Sequence, residues 1–240
     1  MTQQRARRAF VIAGLGYGDE GKGTTVDWLA RRYAPTLRTS RTTVVRYNGG
    51  AQAAHNVVLP DGTHHTFSQF GSASLVGADT LLSHHMVVNP TAMLVESNYL
   101  GACSPDIVDD PLSRVCVDER ALITTRFHVA ANRVRELVKG RASHGSCGMG
   151  IHETVQDAEL GGSARLALTV DDLRDPATLR RHLVEIQEAK YIALNVAYSQ
   201  APEYARVQAL EDEFSMLTSP NIVDALLERM LEWASRVTIT

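Results

Sequence analysis

Cysteine is scarce in this chain: Cys103, Cys116 and Cys147 are the only three in 240 residues. None stands in a CxxC spacing, which excludes a disulfide scaffold and a thiolate zinc module. An odd, scattered set points to a reducing compartment, and the expected location is the cytoplasm. Long apolar runs are also missing. Nothing approaches the ~18 residues of a membrane span. The start carries Arg5, Arg7 and Arg8 before Phe10-Val11-Ile12-Ala13, and Asp19-Glu20 follow where a cleavage region would sit. That apolar run is too short for a secretion signal, so it reads as a basic lead-in to a buried strand. A one-sided charge is absent as well: 24 Lys and Arg against 27 Asp and Glu leave −3. There is no bulk attraction to nucleic acid or to an anionic membrane. Lysine is rare, only Lys22, Lys139 and Lys190 among the 24 basic residues. A lysine inside a glycine loop stands out against that background, because Lys and Arg are not interchangeable at phosphate sites.

What is present is an ordinary globular mixture, 44% apolar and 21% charged. It excludes a disordered chain, a collagen and a coiled-coil rod. No repeat, low-complexity tract or linker interrupts the sequence, so residues 1–240 are expected to form one domain.

The chain alternates strand and helix signals. Ala9 to Leu15 is a continuous apolar run, as in a strand buried on both faces. Five glycines follow between Gly14 and Gly23, then Val26, Leu29, Ala30 and Tyr33 recur at helical spacing. Arg41 to Tyr47 reads as a strand, and Pro60-Asp61-Gly62 joins two extended segments into a hairpin over 56–67. Thr80 to Val88 reads as another strand, ended by an Asn89-Pro90 helix start. Arg114 to Val117 is a short strand; Phe127, Ala130, Ala131, Val134, Leu137 and Val138 form one helical stripe. Leu166 to Val170 reads as a strand. Asp175-Pro176 and Ser219-Pro220 open two later helices, the second with Ile222, Leu226, Met230 and Trp233 inward, and Val237 to Thr240 has strand character. The expected fold is α/β: a mainly parallel central sheet flanked by helices, P-loop-NTPase-like, with a small β-hairpin and a helical C-terminal part.

The strongest motif runs from Gly16 to Thr24. Gly16, Gly21 and Lys22 fit GxxxxGK of a phosphate loop, between a strand signal and a helix signal. The backbone N–H groups of Gly18, Gly21 and Gly23 can approach phosphate, the helix N-terminus adds a positive field, and Lys22 can reach the terminal oxygens. The Ser or Thr expected after the lysine is Gly23, with Thr24 one place later. An unrelated P-loop NTPase is disfavoured for that reason. Asp19 and Glu20 make sense beside phosphate if one holds Mg²⁺ or abstracts a proton; the bland alternative is a glycine-rich turn with solvated acids. A second feature, Val44 to Asn56, is a strand followed by an amide-rich small-residue loop with Asn48, Gln52, Ala54 and His55. It can wrap a flat ligand and present one histidine, or His55 is a surface residue. The pairs His64-His65 and His84-His85 are read as structural, since neighbours on a strand face opposite sides. The loop His144 to Gly150 can bind a second phosphate; Cys147 there is a nucleophile only with a partner the sequence does not assign, or a structural cysteine.

These residues resemble a known family. Gly18-Asp19-Glu20-Gly21-Lys22-Gly23, then Val44 to Gly50 leading to His55, then Val87-Val88-Asn89-Pro90, then the Ala130–Glu136 helix with its glycine loop, come in the order and spacing of adenylosuccinate synthetase. The resemblance begins near Phe10 and covers the first half, or slightly more, of a family chain. It implies a Mg²⁺-dependent ligase that phosphorylates the 6-oxygen of IMP from GTP (ATP being an alternative), after which the amine of aspartate displaces that phosphate. It implies Asp19 as base on purine N1 and Mg²⁺ ligand, His55 as acid, and the Ala54 carbonyl on Mg²⁺. Lys22 and the backbone 18–23 would hold γ-phosphate; Asn48, Gln52, Ser146 and Cys147 would hold the monophosphate. Arg165 would reach that phosphate across a homodimer interface. Departures from the pattern are Tyr17 for Trp, Gln52 for Asn, Ala54 for Gly, Ser146-Cys147 for two Thr, Met149 for Arg, and His152-Glu153 for Gly-Pro. Most fall in the implied monophosphate pocket, where a thiol is a weaker donor than a hydroxyl. The expectation is a paralogue with an altered acceptor nucleotide. The family's later motifs lie past Thr240. The chain is therefore expected to be truncated, one half of a split enzyme that a C-terminal chain completes, or a non-catalytic nucleotide- or phosphate-binding module.

Overall fold

A computed structural model describes residues 8–16, 18, 20–33, 42–103, 110–139, 145–160, 166–201 and 208–240. In chain order the elements are α1 (Lys22–Tyr33), β1 (Thr43–Gly50), β2 (His55–Val58), β3 (His64–Phe67), β4 (Asp79–Val88) and α2 (Pro90–Cys103). Then come β5 (Val115–Val117), β6 (Leu122–Ile123), α3 (Arg126–Lys139), α4 (Ile151–Leu160), β7 (Leu168–Thr169) and α5 (Pro176–Ser199). The last are α6 (Gln208–Ser215), α7 (Ile222–Arg236) and β8 (Thr238–Ile239). The central sheet is mixed and mostly parallel, and seven helices flank it among the described residues.

β4 is the spine. β1 runs parallel along one edge. On the other edge Thr80–Leu82 pair in parallel with β5 and Val87–Val88 with β6. β8 extends β5 in parallel, and β7 closes the far side of β6 in antiparallel register. β2 and β3 form the expected hairpin, turned by Gly62 at φ +87° with Asp61 Oδ1 accepting from Thr63 N at 2.8 Å. The core joins Leu82, Met86 and Val88 of the sheet to Met93 and Leu94 of α2, Phe127 and Ala130 of α3, Leu183 of α5 and Trp233 of α7. Parallel strands covered on both faces are near-continuously apolar, and Met86-Val87-Val88 follow that rule.

Helix starts follow their caps. Asn89 Oδ1 accepts from Ala92 N at 3.0 Å ahead of Pro90. Asp175 accepts from Ala177 N and Thr178 N at 3.1 and 3.2 Å ahead of Pro176. Both are side-chain caps with proline at the first helical position.

Three expectations change, and one helix was not expected. Ala9 to Leu15 is not a strand: the segment is irregular, and Val11 and Leu15 are 93% and 98% exposed. A strand needs a ladder partner, and no described strand pairs with this run; β1 itself pairs only β4 among the described strands. α7 starts after Asn221 and turns Val223 inward, with Ile222 half-buried. The short helix α6, with only Leu210 and Phe214 buried, had too few apolar positions to show a period. Lastly, His84 and His85 do not face opposite sides. The β1–β4 register slips between Arg46 and Asn48, and the two rings meet with centroids 3.7 Å apart. A bulge breaks the strict alternation of a strand. His64 and His65 do alternate, exposed and buried. Among the described residues no helix is long and apolar enough to cross a membrane.

Candidate functional site

The glycine loop before α1 is shaped by two left-handed residues, Gly18 at φ +39° and Gly21 at φ +72°. Only glycine takes these values without strain. Lys22 is the first residue of α1, and its Nζ donates to the Gly18 carbonyl at 3.0 Å and lies 3.3 Å from Glu20 Oε2. Glu20 Oε1 accepts from Gly16 N. The Lys22 ammonium chiefly holds the Glu20 carboxyl below its usual range; desolvation opposes it, and the Gly16 amide adds to the lowering. So the loop already folds one carboxylate onto its amide and ammonium donors. An anion-binding arrangement is present in the backbone and the lysine together.

Gly23 has its own reason. A Cβ there would meet His55 Cβ at 2.8 Å and the His55 backbone at 3.3 Å. The first turn of α1 lies directly on β2, and a Ser or Thr after Lys22 would push them apart. Thr24, one place later, instead donates to the Asn56 carbonyl at 3.3 Å and ties the same two elements. This close approach brings the two sequence motifs together. Gly18, Glu20, Gly21, Lys22, Gly23 and Thr24 share a cavity of about 350 Å³ with Ala54 and His55. Asn56 and Val58 complete its lining.

His55 is half-buried at the start of β2. Burial, then the charges of Arg46 and Lys22, push its pKa below the ordinary histidine value, while Glu96 pulls the other way. The ring is therefore held neutral at pH 7. Arg46 is buried and was missed in the sequence reading. Its signal was a lone cation inside the apolar run Val44-Val45-Arg46-Tyr47.

The other expected residues among those described do not line this cavity. Asn48 and Gln52 are exposed at the end of β1, where the Gln52 side chain folds back over Gly49 and Gly50. A Cβ on Gly50 would meet Ile151 Cδ1 at 2.5 Å, so this corner abuts the start of α4. Ser146 Oγ bonds Asn132 at 3.2 Å, and Cys147 is an exposed free thiol. Gly150, at φ +75°, touches the α3 backbone at Val129 and His128. Asp19 and Arg165 lie outside the described residues. A second cavity of about 460 Å³ lies under α2, with Ala51 and Met149 at one end and His65, Glu96 and Cys103 in its wall.

Under the second glycine loop lies a buried charge cluster. Lys190 of α5 sits 2.9 Å from Glu153 and 2.8 Å from Asp157, both on α4. Arg135 of α3 pairs with Glu153 at 2.8 Å, and His128 Nε2 lies 3.1 Å from Asp157. Thr125 N donates to His128 Nδ1 at 3.0 Å, which places the imidazole proton on Nε2. Lys190 is therefore occupied in structure, whereas Lys22 lines a cavity.

Comparison with known proteins agrees with this layout. The family model described as adenylosuccinate synthetase matches residues 11–235. The adenylosuccinate synthetase of Polynucleobacter asymbioticus is 29% identical over 225 residues, 92% of this chain and 46% of that protein. That of Desulfatibacillum aliphaticivorans is 31% identical, covering 89% of this chain and 46% of the relative. That of Mycobacterium leprae is 29% identical, covering 97% and 47%. The solved structure of fully ligated adenylosuccinate synthetase from Plasmodium falciparum superposes with a TM-score of 0.60 at 19% identity, over 93% of this chain and 48% of that one. The chain thus spans about half the length of the curated relatives it matches.

Proposed function

Because the chain belongs to the adenylosuccinate synthetase family, we propose that it serves as a purine-nucleotide ligase of that type. In the proposed reaction the 6-oxygen of IMP, or of a related purine monophosphate, attacks the γ-phosphorus of GTP and GDP leaves. The amine of aspartate, or another amine, then attacks C6 and inorganic phosphate leaves. ATP remains the alternative donor. The observation that carries this reading is the single cavity shared by the glycine loop, Lys22 and His55. Phosphoryl transfer depends on positioning and charge neutralisation more than on covalent chemistry, and this set supplies both.

Lys22 and the amides of Gly18, Gly21 and Gly23 hold the γ-phosphate; Glu20 gives up its contact with Lys22 as the nucleotide enters. Neutral His55 donates a hydrogen bond to the transferring group. Asp19 takes the purine N1 proton, a role that rests on the family resemblance. Asn48, Gln52, Ser146 and Cys147 hold the acceptor's monophosphate, with Arg165 reaching it from the second subunit of a homodimer.

Mg²⁺ keeps several waters and takes one or two protein oxygens beside substrate phosphates. Among the described residues no group of three or more His, Cys, Asp or Glu forms a metal cage. The carbonyl of Ala54, which lines the cavity, and, by the family resemblance, Asp19 would hold an ion bound mainly by phosphates. Bound there, Mg²⁺ neutralises phosphate charge. We place the reaction in the cytoplasm and in one domain spanning 1–240, without nucleic acid or membrane partners.

A second reading is favoured by the exposure of Val11 and Leu15. In it the chain is a nucleotide- or phosphate-binding half that acts with a complementing C-terminal chain. A mass-spectrometric end-point assay of the purified chain with IMP, aspartate, Mg²⁺ and GTP or ATP separates them. Adenylosuccinate is expected from the ligase. Unchanged triphosphate defeats the stand-alone ligase, and product restored by a family C-terminal half supplied in trans identifies the split enzyme.

A further inference from the structure

Behind the cavity runs a chain of contacts that no motif announced. Glu96 of α2 is buried and its carboxylate accepts from the backbone N–H of Ser68, Gln69 and Phe70, at 2.8, 2.9 and 3.3 Å. It therefore holds the turn after β3 in one conformation. The Phe70 carbonyl of that turn accepts from Arg46 Nη1 at 3.3 Å. The same Arg46 nitrogen lies 3.4 Å from His55 Nδ1. Arg46 is itself buried in β1, between the exposed side chains of Val45 and Tyr47. An inward charged residue in a strand needs a reason beyond solubility.

We propose that Arg46 is a positioning residue that fixes the neutral tautomer of His55, with Nδ1 as acceptor and the proton on Nε2. The reasoning is one of inventory. A guanidinium carries five donors and no acceptor, and it stays protonated in proteins. A ring nitrogen facing it within hydrogen-bond distance can only accept. The neutral imidazole has one proton, which must then sit on the other nitrogen. The groups facing His55 from the packed elements agree. Arg46 on β1 faces Nδ1, and Glu96 on α2 anchors the turn that holds Arg46. The Nε2–H is then the donor that His55, a lining residue of the Lys22 cavity, can offer a phosphoryl oxygen. What that donor serves rests on the ligase reading; the tautomer itself does not.

The test is the long-range ¹H–¹⁵N spectrum of the His55 ring in the full chain, assigned by its loss in His55→Gln. It is recorded at about pH 8.5, two units above the ordinary histidine pKa. The expected result is a single tautomer, with Nδ1 resonating as an unprotonated nitrogen and Nε2 as a protonated one. In Arg46→Met the two nitrogen shifts should move toward each other as both tautomers become populated. Arg46→Gln, whose amide oxygen can accept from Nδ1–H, should do the same and stands in if the Met variant does not fold. A protonated Nδ1 in the wild type, or unchanged shifts in a folded Arg46 variant, overturns the proposal. A negative ligase assay leaves this spectrum untouched, so the two readings fail separately.

Discussion

Two glycine-rich loops lead into helices in this chain, and each is associated with one lysine. Before α1, Lys22 is 32% exposed and its partner Glu20 28%. Before α4, the supporting Lys190 is 6% exposed and faces two carboxylates that are 3% and 7% exposed. The first pair is a surface-type contact, screened by solvent and easily exchanged. The second is a buried ion cluster whose members cannot be removed singly without leaving a charge in low dielectric. The same residue type is available for binding in one place and committed to architecture in the other. The difference lies in what surrounds each ammonium. A part-exposed carboxylate at a cavity mouth is open to exchange for another anion; two buried carboxylates packed against α3 and α5 are not.

The sharpest way to break this comparison is to remove each lysine. Lys190→Met should lose about 3–5 kcal/mol, because Glu153 and Asp157 are left buried and under-compensated. Lys22→Ala should stay within about 1 kcal/mol of wild type while losing measurable binding of a nucleoside triphosphate. Urea denaturation and calorimetric titration check the two arms. Equal stabilities for the two variants would erase the distinction.

The glycines offer a smaller contrast. Gly150 and Gly21 both have positive φ, +75° and +72°. A Cβ on Gly150 would meet the α3 backbone at 2.7 and 2.8 Å, whereas Gly21 has open space within 4 Å. Gly21→Ala should cost on the order of 1 kcal/mol from backbone strain alone. Gly150→Ala should cost clearly more, on the order of 3 kcal/mol, since backbone cannot yield as a side chain can. Thermal melts of the two variants decide it.

The last effect is a pH dependence centred on the second loop's cluster. Burial pushes the His128 pKa below its ordinary value, against the raising contact with Asp157; Lys190 adds to the lowering and Glu153 opposes it. The folded state therefore binds fewer protons than the unfolded state once pH falls below about 6.5. This contribution to stability is fully present above that value. It is lost as pH drops toward the lowered folded value, with a slope of up to ~1.4 kcal/mol per pH unit. His55 shifts in the same direction and adds to the slope. Urea midpoints at about pH 7.5 and about pH 5.5, on either side of the ordinary histidine pKa, should differ less in His128→Asn than in the wild type. An unchanged difference would show that His128 is not the group responsible.

Local signals carried far where they had a mechanism. Asn89-Pro90 and Asp175-Pro176 are helix starts by their chemistry, and both caps form. Pro60-Asp61-Gly62 demands a turn, and the hairpin closes there. Gly16 to Thr24 was legible as an anion loop because its glycines, lysine and following helix all act within nine residues. Reading failed where the answer depended on a distant segment. Ala9 to Leu15 has strand composition, but a strand exists only if another strand supplies its ladder. His84 and His85 obey alternation until a bulge against Tyr47 turns both rings together.

The sequence by itself determined the glycine-loop turn into α1, the caps and turns and the α/β order, since each rests on residues close along the chain, and the family, since its motifs recur in a fixed order. Only the tertiary structure decided why Gly23 must be glycine, that His55 shares a cavity with Lys22, that Arg46 faces His55 Nδ1, and that Lys190 is buried. Those facts depend on helix and strand surfaces meeting, over separations from nine residues for Arg46 and His55 to 37 for Glu153 and Lys190. Contact distance between remote elements is set by packing, which local composition does not encode.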